Sequence, residues 1–330
     1  MDRADRRSNN TGNTDNTSAS RLWTVVVNWR QADTTLACLA SLDRAGVDAA
    51  TTVVVDNGSG DDVVERVRAA HPTVTLLPQA ENLGFARAVN IGAQHAIAHG
   101  AAAVFVLNND AQVLPGALQH LADLLASEPR VGLVTAKIFL TERPDHLWAV
   151  GGTFTGRRVV EIGAGERDVG AYDNVRLDFA YGCALAVRAE TFQQVRGFDE
   201  RFFLYYEDID LCLRARDAGW RIAIAPMAHV LHEGSKSTHD EPETKVYHHA
   251  RSRILFFQRH THGPQRPLFV ISELAFIARN VGSHLLTGRV RNARAYVRGT
   301  IDGLREGRGR SGQIVRSRPA VSPADDVSER

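Results

Sequence analysis

The sequence predicts an α/β fold, a mostly parallel sheet flanked by helices, and three observations carry that reading. Short β-branched runs alternate with helical segments from Trp23 to Pro226. Polar clusters close two of those runs, Asp56-Asn57-Gly58-Ser59 and Asn108-Asn109-Asp110, and strand ends are where open α/β sheets gather ligands. The stretch Gly197 to Gly219, GFDERFFLYYEDIDLCLRARDAG, crowds Asp199, Glu200, Glu207, Asp208 and Asp210 where an aromatic loop turns into a helix.

Taken in order, TVVVNW after Trp23 reads as a first strand, Leu36, Leu39, Ala40 and Leu42 as a helix, and TTVVVDNGSGD as a second strand. An exposed helix over Asp61 to Ala70, a short strand VTLLP, a helix over Ala86 to His99 and the strand AAVFVLNND continue the rhythm. Pro115 opens a helix to about Ser127, and Val131 to Thr135 form a strand. The Gly-rich Gly151 to Gly170 is expected as hairpin or loop. LDFAYGCALAVRAETF gives a strand and a helix, the acidic helix ends at Gly219, and RIAIAP ends a further strand at Pro226. Residues 1–20 are expected as a disordered tail, 21–243 as one catalytic domain, 244–305 as a helical extension and 306–330 as a disordered basic tail.

Composition narrows the classes. With 330 residues and a net charge of +1 there is room for a sizeable core and no overall pull towards nucleic acid. Cys38, Cys183 and Cys212 lack a CxxC pair, so they read as core filler in a reducing cytoplasm. Neither a signal-peptide core nor a long apolar span is visible, and a cytoplasmic chain, peripheral at most on the inner membrane face, is expected. No G-x-G-x-x-G follows the first strand and no GxxxxGK[ST] occurs, which removes the dinucleotide fold and the P-loop.

Each polar cluster has a functional and a plainer meaning. Asp56 at a strand end can accept the imide N–H of a uracil or thymine while the Gly-Ser turn admits a ribose, or the cluster is a closing Asx turn. Asp110 can hold a divalent cation against a diphosphate with Asn108 orienting water or a hydroxyl, or Asn and Asp simply end the strand. ENLGFARAVN offers backbone N–H groups and Arg87 to a pyrophosphate, or is a capped amphipathic helix. Of the histidines in AHVLHEGSKST, His232, near Gly234, Ser235 and Lys236, is the better metal candidate, and His229 is expected to face the core or bond to backbone. Glu207 and Asp208 taken alone read as partners of the helix dipole. Val270, Leu274, Ile277, Val281 and Leu285 form a stripe at helical spacing, followed by nine arginines from Arg289 to Arg318 against Asp302 and Glu306. That stripe either presses on anionic lipid or packs on the catalytic domain with a solvated basic tail.

Together and in this order, VVVNW, VVVDNGSGD, ENLGFARAVNIG, VLNNDAQVLPGAL, GCALAVRAETFQQVRGFDERFFLYYEDIDLCLRARDAGW and HVLHEGSKST resemble the inverting family 2 glycosyltransferases of the GT-A fold, most of all the bacterial rhamnosyltransferase-like branch. The resemblance spans about Trp23 to Arg259. It implies a Rossmann-like nucleotide-binding sheet and a nucleotide-sugar site formed by Asn28, Asp56, Asn57, Ser59, Asn82, Arg87, Asn108 and Asn109. It implies Asp110 and His232 as ligands of Mg²⁺ or Mn²⁺, Asp208 as general base, and Glu207 shaping the acceptor site, with Asp199 and Glu200 structuring the loop. The family's metal motif carries Asp first, or Asn-Pro-Asp in this branch; here the triplet is Asn-Asn-Asp, a departure that bears on metal dependence.

The implied reaction moves one sugar from dTDP-rhamnose or a UDP-sugar to a glycan or lipid-linked hydroxyl with inversion, in cell-wall or polysaccharide synthesis. Processive relatives carry QxxRW and several spans, and both are missing from this sequence. Glu207 is expected to raise the pKa of Asp208 as a like-charged neighbour. The alternatives are a non-catalytic carbohydrate- or nucleotide-binding module and, with less support, a sugar nucleotidyltransferase, which needs a Gly-rich basic loop that NWRQADTTL does not supply.

Overall fold

Valine-rich runs make the centre of the sheet because branched side chains suit a pleated surface buried on both faces. The structure, a computed structural model, describes residues 21–60, 62–233 and 242–308. The first half runs β1 (Leu22–Asn28), α1 (Ala32–Arg44), β2 (Thr52–Asp56), α2 (Val63–Ala70), β3 (Thr75–Pro78), α3 (Phe85–Ala98), β4 (Ala103–Asn108), β5 (Ala111–Val113) and α4 (Ala117–Ser127). Then follow β6 (Val131–Leu140), β7 (Arg143–Ala149), β8 (Gly151–Phe154), β9 (Val159–Ile162), β10 (Ala184–Arg188), α5 (Ala189–Gln194), α6 (Glu207–Asp217), β11 (Arg221–His232), α7 (Pro242–His260), α8 (Gln265–Leu286) and α9 (Val290–Arg308).

The main sheet has the order β3-β2-β1-β4-β10-β6-β11-β5, with β7 beside β6. Strands β3, β2, β1 and β4 are mutually parallel, β10 reverses direction, and β6 and β11 are parallel again, so the expected mostly parallel sheet is present. Alternation along the strands sorts the core into two layers. Val25, Val53, Val55 and Val106 join Val89 and Ala93 of α3, while Val26, Val54 and Phe105 join Leu39 of α1, Val67 of α2 and Leu121 of α4. All three cysteines are buried and unpaired with one another.

Two strands outrun the sequence expectation. β6 continues past Thr135 to Leu140 because Ala136 and Ile138 keep the buried alternation and both flanks pair. β11 continues past Pro226: proline cannot donate to a ladder, the register shifts between Ala225 and His229, and pairing then resumes to His232. The Gly-rich segment is indeed a hairpin, β8 on β9, and the buried Lys137 grips Asp168 (2.8 Å) and Asp173 to hold the following loop to β6. α9 runs through Arg308, beyond the boundary expected at 305. The tails 1–20 and 309–330, and Gly234, Ser235 and Lys236, lie outside the described residues.

α7 is bound to the acidic helix by a buried charge cluster. Asp210 is fully buried and accepts from Arg214 Nε (2.7 Å) and lies 2.8 Å from His260 Nε2 and 3.3 Å from Arg259. Burial alone would raise its pKa, but Arg214, His260 and Arg259 together hold it well below the usual carboxylate range. That depressed pKa adds stability above the unfolded-state value near ~3.9, and the contribution fades as pH falls further. Asp210→Ala, which strands buried cations, is expected to cost about 3–5 kcal/mol of unfolding free energy, read by urea denaturation at neutral pH.

Candidate functional site

The carboxyl ends of β1 and β2 meet in register, Asn28 opposite Asp56, and a polar network closes over them. Asn28 Nδ2 donates to Asp56 Oδ1 (3.1 Å) and to Ser59 Oγ (2.9 Å), and the Ser59 hydroxyl also donates to Asp56 Oδ1. Thr35 donates to Asn28 Oδ1 (2.7 Å) and accepts from Asn109 Nδ2 (3.1 Å), which links this corner to the end of β4. Asn57 donates to Asn82 Oδ1 (2.9 Å) and accepts from Leu83 N (2.9 Å), so the loop before α3 is stitched to the strand ends. Gly58 has φ +71° and a Cβ there would lie 2.3 Å from the carbonyl carbon of Glu81, a packing that only glycine permits.

β5 pairs antiparallel with the extension of β11, His232 opposite Ala111, and this brings His232 to Asp110. His232 Nε2 lies 3.1 Å from Asp110 Oδ1 and 3.4 Å from Asn108 Nδ2, and both side chains of the pair are buried. Among the described residues no group of three or more His, Cys, Asp or Glu is arranged to hold a metal. A hard cation here would have these two protein donors, with substrate phosphate and water to complete its shell, the usual way a diphosphate-bound Mg²⁺ or Mn²⁺ is held. Asp110 Oδ1, a buried oxygen that meets the His232 ring at 3.1 Å but makes no aligned hydrogen bond, fits such a ligand. His229, as expected, faces away, its Nε2 3.0 Å from Pro226 O and its ring edge-on to Phe139.

The acidic loop is placed by contacts remote in sequence. Asn90 on α3 imitates a backbone strand, donating to Phe198 O (2.9 Å) and accepting from Phe198 N (2.9 Å). Phe85 N donates to Phe203 O (2.7 Å), and a Cβ on Gly84 would lie 2.6 Å from that same oxygen. On the far side Ser252 Oγ of α7 donates to Leu204 O (2.8 Å), and Arg251 donates to Arg201 O (2.8 Å). Asp199 is taken up by Arg201 and Arg259, in keeping with a structural role. Tyr205 and Tyr206 both take left-handed backbone, φ +68° and +69°, and such residues cost about 1–2 kcal/mol each. Tyr206 is held there by Phe256 and Phe257 and by Arg253 at 3.2 Å. The strained pair turns the chain sharply into α6, so that Glu207 and Asp208 stand at its first turn against the sheet.

Asp208 Oδ2 accepts from Gly182 N (2.9 Å) and Oδ1 from Ile209 N (2.8 Å), contacts that orient the carboxylate yet leave each oxygen a free lone pair. Burial raises its pKa, and those two backbone donors pull the other way. Glu207 is raised well above the carboxylate range, by burial first and by the charge of Asp208 second, and its Oε2 is buried without a partner. The expected influence therefore runs in reverse: burial first and the charge of Asp208 second disfavour the ionised form of Glu207.

One cavity of about 570 Å³ collects Asn57, Asn82, Asn108, Asn109, Asp110, Glu207, Asp208 and His232. Asn28, Asp56 and Ser59 are buried at its strand-end corner, one step from the lining. Arg87 is not part of the lining; its exposed guanidinium lies 3.8 Å from Glu200. Residues that no sequence signal singled out complete the walls: Trp148, edge-on to both Tyr181 (4.9 Å) and His232 (5.0 Å), and Thr244, His248 and His249 of α7. His248 stacks on Phe203 at 4.4 Å, and burial with nearby arginines lowers its pKa to about 4. The cavity thus depends on α7, inside the segment expected as an extension.

Comparison with known proteins bears on the family and the fold. The family model described as "Glycosyltransferase like family 2" matches residues 20–253. The N-acetylglucosaminyl-diphospho-decaprenol L-rhamnosyltransferase of Mycobacterium tuberculosis (strain ATCC 25618 / H37Rv) is 33% identical over 262 residues, 70% of this chain and 82% of that protein. The mannosyltransferase PcManGT of Pyrobaculum calidifontis, solved with GDP-Man and Mn²⁺, superimposes with a TM-score of 0.52 at 17% identity over 87% of each chain. GalNAc-T7, solved with UDP, GalNAc and Mn²⁺, gives a TM-score of 0.53 at 14% identity over 72% of this chain, which spans half of that longer one. The two structures share the GT-A fold with this chain.

The pinning of the acidic loop yields a direct test. Asn90→Ala leaves the Phe198 amide and carbonyl unpaired and is expected to cost about 1–3 kcal/mol in thermal or urea unfolding. Asn90→Asp should not restore it, because a carboxylate cannot donate to Phe198 O.

Proposed function

Since this chain belongs to the family 2 glycosyltransferases, we propose that it moves a single sugar, with inversion, from a nucleoside diphosphate sugar to a hydroxyl of a glycan or lipid-linked acceptor, with Asp208 as general base. Family membership makes the protein an enzyme and sets aside the binding-module and nucleotidyltransferase readings. The observation that carries the mechanism is the sharing of one cavity by Asp208, oriented but unpaired, and the Asp110–His232 pair.

The roles follow from those positions. Asn57 and Asn82, with the Asn28–Asp56–Ser59 network behind them, offer donors and acceptors to the nucleoside, and Asp56 would accept the pyrimidine N–H. Asn108, Asn109, Asp110 and His232 would face the diphosphate, and Arg87 would need to swing away from Glu200 to join them. A divalent ion, when bound by Asp110 and His232, supplies positive charge that stabilises the departing diphosphate. Asp208 takes the acceptor hydroxyl's proton as that oxygen bonds to C1 from the face opposite the diphosphate. The C1–O bond breaks, and its electron pair leaves on the nucleoside diphosphate. Burial and the Asp208 charge favour the neutral form of Glu207, which in that form would add no second negative charge beside the base and could donate to an acceptor hydroxyl.

For the donor, dTDP-rhamnose is the first candidate, its rhamnosyl group supported by the mycobacterial relative's name, with UDP-sugars as rivals. The same name supports a lipid-linked acceptor.

Asp208→Asn is expected to keep donor affinity by calorimetry and to lose at least about a hundredfold in turnover. Near-wild-type turnover would remove Asp208 from the role. In the wild type, kcat/KM should fall on the acid side with an apparent pKa above the ordinary aspartate value of ~3.9, since the base must be ionised and burial raises its pKa. Asp110→Ala and His232→Ala should each weaken Mn²⁺-dependent binding of the nucleoside diphosphate by about tenfold or more, measured by titration calorimetry with and without chelator.

A further inference from the structure

We propose that the outer faces of α8 and α9 form a docking surface for an anionic lipid bilayer. Of the 22 residues of α8 only Phe269 and Glu273 are buried. They fasten one side of the helix to α7, Phe269 stacked on Phe257 at 4.6 Å and Glu273 gripped by Arg253 at 2.7 and 2.8 Å. Three of the five stripe residues read in the sequence are turned outward rather than packed on the catalytic domain: Val270, Leu274 and Leu285 are exposed, flanked by Ile271 (68% exposed) and Leu286 (91%), while Ile277 and Val281 are half-buried. Contiguous large apolar side chains on a protein surface mark a place where something binds.

Charge identifies the occupant. On α9 the exposed Val297, Ile301 and Leu304 are interleaved with the exposed Arg294, Arg298 and Arg305. The acids in these helices are largely engaged, Glu273 with Arg253 and Glu306 with Arg251. Apolar residues alternating with arginines are the composition of helices that lie in a lipid headgroup layer. A second copy of the chain would oppose arginine to arginine, a like-charge juxtaposition that disfavours pairing. No described helix is long and apolar enough to cross a membrane, so the surface would lie on the bilayer rather than span it. The purpose of this contact rests on the lipid-linked acceptor proposed above: α7 supplies His248 and His249 to the cavity and Phe257 to α8, so a bilayer under α8 would hold the cavity near the membrane plane.

The test is sedimentation of the full chain with phosphatidylcholine vesicles containing phosphatidylglycerol, against phosphatidylcholine alone. Binding to the anionic vesicles, weakened by high salt, is expected. The double variants Ile271→Glu/Leu274→Glu and Arg294→Glu/Arg305→Glu should each partition at least about tenfold less, with unchanged thermal unfolding and unchanged slow hydrolysis of nucleotide sugar in solution. Absence of vesicle binding, or equal binding by the variants, overturns the proposal. So does a dimer in light scattering that Ile271→Glu/Leu274→Glu dissolves while vesicles go unbound. Asp208→Asn should still sediment with vesicles, so failure of the base assignment and failure of the docking surface are read separately.

Discussion

The buried charge cluster around Asp210 is the constraint on which the site depends. α6 begins at the cavity and must point its first turn at the sheet; α7 must lie against it to close the wall with His248 and His249. Asp210, one turn into α6, meets Arg214 from its own helix and Arg259 and His260 from the end of α7, and an ion cluster so deeply desolvated tolerates little displacement. A hydrophobic contact of equal area would hold the helices together without fixing their register so closely. The carboxylate two residues earlier, Asp208, inherits its position from that anchorage and from the amide of Gly182.

The crowd of acids in one short segment thereby resolves into separate physical tasks. Asp199 and Asp210 are paired with arginines and serve structure; Glu200 sits at the surface facing Arg87 and Asn90. Glu207 is desolvated and its pKa is raised, while Asp208 is held by neutral backbone donors. Neighbouring carboxylates with divergent surroundings are what acid–base chemistry near neutrality requires. The left-handed Tyr205 and Tyr206 are the local cost of this arrangement, offset by aromatic packing under α7.

The sheet contributes the other half of the cavity in the manner of open α/β folds, polar groups at the carboxyl ends of parallel strands. Its less regular part matters as much. The short β5 exists to pair with the end of β11, and without the interruption at Pro226 that strand would not deliver His232 beside Asp110.

The strand–helix rhythm, the strand-end clusters and the identity of most polar cavity residues were legible in the sequence, because periodicity and turn chemistry are local properties. The resemblance to family 2 glycosyltransferases was legible for the same reason: its motifs are short contiguous segments. What the chain order could not disclose was everything set by contacts distant in sequence. β11 passing Pro226, Asn90 pinning the acidic loop, Arg87 turned to Glu200, and α7 and Trp148 walling the cavity all depend on partners at least dozens of residues away. The upward pKa shift of Glu207 belongs there too, since residue type fixes a reference pKa, and only burial and the placement of neighbouring charges move it.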